Sequence, residues 1–334
     1  MLDIEIQSDL HTWLVERGLV GRHEAIQIRK LEGGVSNRTV LVQRADGTGM
    51  VLKQALETLR VKDPWHCDPA RIHREAEALR VLQEIAPRGT VPPFLFEDMD
   101  LHIIGMGAVP EPHHNLKDLL LSGHCDLALM ATLGSLLADI HVLSSKRIHE
   151  LSAFKDRSFF RHLRLEPYYE TSAQRLGWAA GFLRDLIEST NTYQQALVHG
   201  DFSPKNLLIK DGKPVLLDYE VAHLGDPAFD GGFFLTHLLA KAVHLPAARD
   251  RLLEAHRVFA DAWLQGCGQV FGDELEARCI AHHLGCLLAR CAGRSPLEYL
   301  SDNEKQTILR GVQQCLDSPP QTLRDFLDRW ETAR

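Results

Sequence analysis

Residues 196–229, ALVHGDFSPKNLLIKDGKPVLLDYEVAHLGDPAF, decide how this 334-residue chain is read. Two short apolar runs, Leu207-Leu208-Ile209 and Val215-Leu216-Leu217, flank Lys210-Asp211-Gly212-Lys213-Pro214. A turn containing Asp-Gly between such runs predicts a β-hairpin. Asp201 and Asn206 precede its first strand and Asp218 follows its second, so all three are expected at one end of the hairpin. Two carboxylates and an amide converging there fit phosphoryl transfer. Asp201 would accept the proton of an attacking hydroxyl, while Asn206 and Asp218 hold Mg²⁺ on the nucleotide phosphates. The alternative is a polar hairpin whose Asp and Asn only cap turns.

His199-Gly200-Asp201 with Asn206 five residues after the Asp, followed by Leu216-Leu217-Asp218-Tyr219-Glu220, resembles the catalytic signature of the aminoglycoside phosphotransferase and choline kinase family. These are small-molecule kinases of protein-kinase-like fold, and methylthioribose kinases belong to the same group. The resemblance implies an α+β bilobal fold: a nucleotide-binding lobe over residues 1–106, with a five-stranded antiparallel sheet and one main helix, and a mostly helical catalytic and acceptor-binding lobe over 107–334. It implies ATP and Mg²⁺ as cofactors and a small-molecule hydroxyl acceptor, an aminoglycoside, sugar or amino alcohol. Asp230 resembles the buried Asp that braces the catalytic loop by accepting backbone N–H bonds, and His199 is likewise given a structural role. Ser203 stands where protein kinases carry a lysine two residues after the catalytic Asp, and Lys205 is not given that lysine's role.

Upstream, alternation predicts strands over residues 25–29, 38–42 and 49–53. The link between the first two, Leu31-Glu32-Gly33-Gly34-Val35-Ser36-Asn37, looks like the nucleotide-covering loop of the family: Gly33 and Gly34 would let backbone N–H groups approach phosphates, with Ser36 and Asn37 beside them. A tight Gly-Gly hairpin without a ligand is the equal alternative. Lys53 matches the kinase strand lysine that reaches the α- and β-phosphates and pairs with a helix Glu. The helix expected from Asp68 to Ile85 buries Ile72, Ala76, Leu79 and Leu82. Glu75 falls on that stripe and Glu77 points away, so Glu75 is the chosen partner, local pairing with Arg71 being the alternative. Arg60 would reach the phosphates or pair with an acid. Met106 and Ala108 fall in the segment expected to join the lobes, where the backbone would hydrogen-bond adenine.

A helix over 126–143 is expected, then an irregular insert at 152–171, then four or five helices beyond 233 with breaks at Pro246, Gly266-Cys267-Gly268, Gly272, Gly293 and Pro319-Pro320. Asp226 and Pro227 would open one helix as N-cap and first residue. Methylthioribose kinases carry neighbouring arginines in a late helix that contact their sugar; here Arg290 stands alone with Arg294 one turn on, and a plain surface role is as open as substrate contact. A net charge of −8 without charged blocks argues against nucleic acid as a partner. Seven unpaired cysteines point to a reducing, cytoplasmic setting. No apolar stretch of membrane-spanning length is expected, nor a signal peptide. Two further readings stay open: a kinase-like nucleotide-binding regulatory or scaffold protein without transfer activity, and a protein kinase. The missing HRDLK and APE motifs count against the second.

Overall fold

The computed structural model describes residues 2–31, 34–60 and 65–332. Helix α1 (Gln7–Glu16) and strands β1 (Ile26–Lys30), β2 (Asn37–Arg44) and β3 (Gly49–Ala55) are followed by helix α2 (Arg71–Ile85) and strands β4 (Phe94–Asp98) and β5 (Ile103–Gly107). The strands make one antiparallel five-stranded sheet in the order β1-β2-β3-β5-β4. Leu10 and Leu14 of α1 pack with Val40, Val42, Met50, Leu52 and Ile103 of the sheet, a hydrophobic-in alternation that fixes which way each strand faces. Two helix starts differ from expectation. Leu10, Trp13 and Leu14 at helical spacing behind Ser8 predict a helix capped by that serine, whereas α1 begins at Gln7 without a side-chain cap. α2 begins at Arg71 because Asp68 closes a preceding turn, its Oδ1 accepting the Ala70 N–H at 2.9 Å.

The rest of the chain is mostly helical. Strand β6 (His114–Asn115), helix α3 (Leu116–Leu121) and helix α4 (Leu127–Ser145) lead to α5 (Ser158–Phe160), a π-helix over Arg161–Glu170, α6 (Thr171–Arg175) and α7 (Ala180–Thr192). Strands β7 (Ala196–Val198), β8 (Leu207–Lys210), β9 (Lys213–Leu216) and β10 (His223–Gly225) form a β6-β8-β9 sheet and a β7–β10 pair. Helices α8 (Ala228–His244), α9 (Arg249–Phe271), α10 (Leu275–Ala292), α11 (Asp302–Asp317) and α12 (Leu323–Thr332) complete the chain. α8 is the central rod, buried from Ala228 to Ala242. Its first residue is Ala228, one later than expected, with Pro227 at the cap and Asp226 Oδ1 accepting the Ala228 N–H at 3.0 Å.

Two expectations about the helical part are corrected. α4, 19 residues with mean hydropathy 1.6, does reach the length and composition of a membrane span; 56% of that window is buried inside this chain, where α4 packs along α9. α9 runs unbroken through Gly266 and Gly268. Gly266 is there for contact rather than to break the helix, since a Cβ on it would stand 2.5 Å from that of Ala138 in α4. The stripe Ile72, Ala76, Leu79 and Leu82 on α2 belongs to the same apolar cluster as Leu137 and Ile140 of α4, so α2 is packed against the helical part as well as its own sheet.

Several imidazoles are held neutral inside. Burial pushes His223 and His256 down to about 3 and His282 down to about 4, and drives His283 well below the ordinary range. His256 and His283 meet at 3.1 Å, Nε2 to Nε2, a contact that fails once both carry a proton. The unfolded chain protonates these groups near pH 6.5, ~1.4 kcal/mol per pH unit each. Their stabilisation is therefore complete above about pH 6.5 and declines toward pH 4. With total stabilities of about 5–15 kcal/mol, acid unfolding is expected near pH 5, followed by circular dichroism. A protein still folded at pH 4 would contradict the neutral burial of these side chains.

Candidate active site

The hairpin forms as expected. Asp211 at φ +50° and Gly212 at φ +73° supply the two left-handed residues of a tight turn, and Leu207 pairs with Leu216. The Leu217 N–H donates to the Asn206 carbonyl at 2.9 Å, which sets Asp218 beside Asn206. Asn206 Nδ2 donates to the Asp201 carbonyl at 2.9 Å and to its carboxylate Oδ2 at 2.8 Å. The three residues therefore gather at one end of the hairpin.

The loop bearing Asp201 is braced from below. Asp230 on α8 accepts the His199 N–H at 2.7 Å and the Gly200 N–H at 2.8 Å, and lies 3.2 Å from His141 Nε2. His199 Nδ1 accepts the Asp201 N–H at 3.1 Å and its Nε2 donates to the Leu217 carbonyl at 3.0 Å, partners that assign the tautomer. Burial keeps this imidazole neutral, below its ordinary range. Gly200 sits at φ +75° with Val221 3.0 Å from where a Cβ would be, so no other residue fits comfortably.

Two cations flank the Asp201 carboxylate, which is 2% exposed. Arg164 Nη2 lies 3.1 Å from Oδ1 and Lys205 Nζ 2.9 Å from Oδ2. Arg164 also donates Nε to the Gly200 carbonyl at 2.7 Å, clamping the loop and the carboxylate together. Burial alone would raise the Asp201 pKa; Arg164, Lys205 and Arg290 outweigh it and hold the carboxyl well below the usual carboxylate range. Lys205 thus reaches the Asp that it was not assigned to. The 3₁₀ turn Pro204–Asn206 folds it back, so a lysine four residues on arrives where a spacing of two was sought. Arg164 was missed. It rides on the π-helix, whose residues do not recur at the 3.6-residue period that reveals an α-helix.

Lys53 joins the other half of the site. Its Nζ lies 2.8 Å from Glu75 Oε1 and 2.7 Å from Asp218 Oδ1, linking residues 22 and 165 positions away. Glu75 is fully buried and faces Lys53; Arg71, the local alternative, turns to Glu220 at 3.2 Å. Burial pushes Glu75 up to about 7 despite the lysine. Asp218 is held low, Lys53 and Lys205 outweighing its burial. The two carboxylates raise Lys53 in spite of its own burial, so it stays charged. Asp218 sits at φ +73°, an uncommon backbone for a non-glycine residue and one that clusters at functional sites. Asp218 Oδ2 and Asn206 Oδ1 accept no hydrogen bond from the described residues. They are hard oxygen donors on residues that the Leu217–Asn206 backbone bond brings together, a pair that suits Mg²⁺.

The remaining candidates are placed less directly. Gly33 lies outside the described residues. Gly34 has room for a Cβ, with its nearest neighbour 3.8 Å away. Ser36 and Asn37 turn inward: Asn37 Nδ2 donates to Glu220 Oε2 at 3.2 Å and to Ser36 Oγ at 3.2 Å. The Ser36 carbonyl accepts from Leu56 N and from Arg71. The Asn37 amide N–H is thus engaged, whereas the Ser36 hydroxyl only accepts among the described residues and its O–H is left to donate. Arg71 is wholly buried and donates to the Cys67, Asp68 and Leu56 carbonyls at 3.0, 3.1 and 2.8 Å. Glu220 therefore ties the segment after Asp218 to the start of α2. Met106 is buried in β5, and the Ala108 N–H donates to the Gly49 carbonyl at 3.0 Å, which commits that amide to the sheet edge rather than to a base. Arg60 pairs with Glu5 at 2.8 Å.

The sequence profile of the phosphotransferase enzyme family matches residues 27–267. Methylthioribose kinase 1 of Oryza sativa subsp. japonica is 26% identical over 265 residues, covering 70% of this chain and 61% of its own length; the chain thus spans about three-fifths of that relative. A choline kinase from Cryptosporidium parvum Iowa II superposes with a TM-score of 0.57 at 12% identity, over 98% of this chain and 100% of the other. The GDP and kanamycin complex of APH(2")-IIia gives 0.56 at 14% identity, over 95% and 100%. At these identities the structural likeness carries the fold, a kinase-like one.

Proposed function

The chain belongs to the phosphotransferase enzyme family, and from that premise we propose that it transfers the γ-phosphate of ATP to a hydroxyl of a small molecule, an acceptor of sugar, aminoglycoside or amino-alcohol type. The observation that carries this reading is the Lys53 link: one ammonium touches a helix carboxylate and the carboxylate beside Asn206, within one hairpin of Asp201.

In this reading Asp201 orients the acceptor hydroxyl and takes its proton as the new bond forms. A carboxylate held this low is a weak base, suited to a loose transition state in which the proton moves late. Arg164 keeps Asp201 in place through the Gly200 carbonyl and Oδ1. Lys53, steadied by Glu75, grips the α- and β-phosphates under the loop at 33–37. The segment at 106–109 takes the adenine through backbone groups other than the Ala108 N–H, which the sheet edge holds. Asn206 and Asp218 hold Mg²⁺, which when bound neutralises charge on the transferred phosphoryl group. Most of the rate enhancement then comes from positioning and fixed charge. We place the boundary between a nucleotide-binding and an acceptor-binding lobe at residue 106, and the reaction in the cytoplasm, on the strength of seven free thiols.

The test is ADP release with MgATP over a panel of hydroxylated metabolites and aminoglycosides. Acceptor-dependent ADP release is expected, and Lys53→Met is expected to lower kcat/KM for ATP by about 10²- to 10³-fold. Nucleotide binding without stimulation by any acceptor, or a Lys53→Met variant that turns over like wild type, would defeat the reading.

A further inference from the structure

Asp201 divides the site in two. Asn206 and Lys205 hold its Oδ2, on the side of Asp218 and Lys53, whereas Arg164 holds Oδ1. Beyond Arg164 lies charge that the proposed chemistry does not use. The rings of Tyr168 and Phe233 carry both Arg164, with Cζ 5.4 and 5.9 Å from their centroids, and Arg290, at 4.8 and 5.1 Å. Arg290 is 6% exposed. Its Nη1 donates to the Ser295 carbonyl at 2.9 Å and to Ser295 Oγ at 3.1 Å, its Nη2 lies 3.4 Å from His237 Nε2, and its Nε has no partner among the described residues.

Lys241, one turn after His237 on α8, is 1% exposed. Among the described residues its ammonium makes a single long bond, 3.4 Å to the His237 carbonyl, and stands 5.3 Å from the ring of Tyr299, whose buried hydroxyl has no partner there either. Neither Lys241 nor Arg290 has a carboxylate partner among the described residues. Around Lys241 the acting charges are Lys117 and Arg290, both positive, and Glu298, which is already bridged to Lys117. Burial, with Lys117 and Arg290, pushes the Lys241 ammonium down to about 7. Buried cations are kept in folded proteins against an opposite charge. Lys241 and Arg290 are close enough to act on each other and neither is in an ion pair among the described residues, which leaves a place for a charge from outside.

We propose that Arg290 and Lys241 seat an anionic group of the acceptor, so that the phosphorylated molecule is a polyhydroxylated acid, carrying a carboxylate or a phosphate, rather than an amine. This rests on the kinase reading and narrows it. A polyamine such as an aminoglycoside would bring like charge against Arg164, Arg290 and Lys241 as its hydroxyl approached Asp201, and like charges in such contact are strongly disfavoured. The acid anchors on Arg290 and Lys241 and presents a hydroxyl across the Tyr168–Phe233 face to Asp201.

Two measurements separate the seat from the reaction. In the first, gluconate, ribose 5-phosphate, ribose and kanamycin are titrated calorimetrically into the full chain with ADP present, for wild type and for Lys241→Met. Gluconate or ribose 5-phosphate is expected to bind, with ribose about tenfold weaker or more and kanamycin silent. Lys241→Met is expected to weaken the anion about tenfold or more while raising the melting temperature of the ligand-free protein, which also certifies its fold. In the second, ADP release is followed with the same molecules, and Lys241→Met is expected to raise KM for the acid about tenfold with kcat held. Anion binding that depends on Lys241 without any acceptor-dependent ADP release keeps the seat and defeats the kinase reading. The seat is overturned if neither anion binds, if ADP displaces the anion, if Lys241→Met leaves binding unchanged, or if ribose or kanamycin outperforms both acids. The ranking of gluconate against ribose 5-phosphate tells carboxylate from phosphate.

Discussion

Asp201→Asn is expected to lower acceptor-dependent ADP release by about 10²- to 10⁴-fold, the usual range for losing a positioned general base, while nucleotide affinity stays near wild type. The substitution keeps the shape that Asn206 Nδ2 holds at 2.8 Å and removes only the charge that Arg164 and Lys205 compensate. Those two cations then lack a counter-charge, so binding of the nucleotide triphosphate is expected to hold or tighten, as calorimetry would show. The pH profile carries a second readout. Because Asp201 is held far below the ordinary carboxylate range, the wild-type acid limb is not its titration. Replacing Arg164 by Ala removes the largest compensating charge and moves the Asp201 pKa upward, which brings its titration closer to the measured range. Full activity in Asp201→Asn would remove Asp201 from the chemistry; parallel losses of turnover and nucleotide affinity would make it a structural residue.

Asp230→Ala is expected to cost both stability and turnover without touching any ligand. It strands the buried N–H groups of His199 and Gly200, bonded at 2.7 and 2.8 Å, and removes the partner of His141. Leaving a buried donor unsatisfied costs about 1–3 kcal/mol, so the pair costs about 2–6 kcal/mol. At about 2–4 °C per kcal/mol for a chain somewhat smaller than this one, that is a fall of roughly 5–20 °C in melting temperature. Asp230→Asn retains acceptor oxygen at the same place and should lose markedly less. An Asn variant as unstable as the Ala variant would mean that charge, not hydrogen bonding, braces the loop.

The parts of this site that were legible before the structure are those that local patterns encode. The hairpin announced itself through Asp211-Gly212 between apolar runs. Glu75 was separable from Glu77 because a helix puts residues three and four apart on one face, and a carboxylate on that face must meet a cation. Asp230 was assigned by resemblance, and its acceptor role appears in the hydrogen bonds. What stayed hidden depends on long-range geometry. Arg164 belongs to a segment with a π-helical repeat and is brought to Asp201 from 37 positions away only by the packing of Tyr168 and Tyr169 on the helical core. Lys205 was set aside on spacing, although a 3₁₀ turn shortens the path. Ser36 and Asn37 were assigned to the nucleotide from the look of their loop and its place in the chain; the Asn37 amide meets Glu220 and the Ser36 carbonyl meets Arg71, residues that no local pattern links to them. Gly266 looked like a break and is a helix crossing.

Helix α2 is fastened from two directions. Its apolar stripe joins the cluster of Leu137 and Ile140, and Arg71 at its start is buried against Glu220, in the segment that follows Asp218. Kinases of related architecture are commonly silenced by swinging the equivalent helix outward, which parts the lysine from its glutamate. Here that motion would break a buried ion pair, about 3–5 kcal/mol when one partner is left behind, before any of the stripe reached water. An outward position of α2 is therefore set apart by at least the cost of that ion pair, and the Lys53–Glu75 contact is held by groups that touch neither residue.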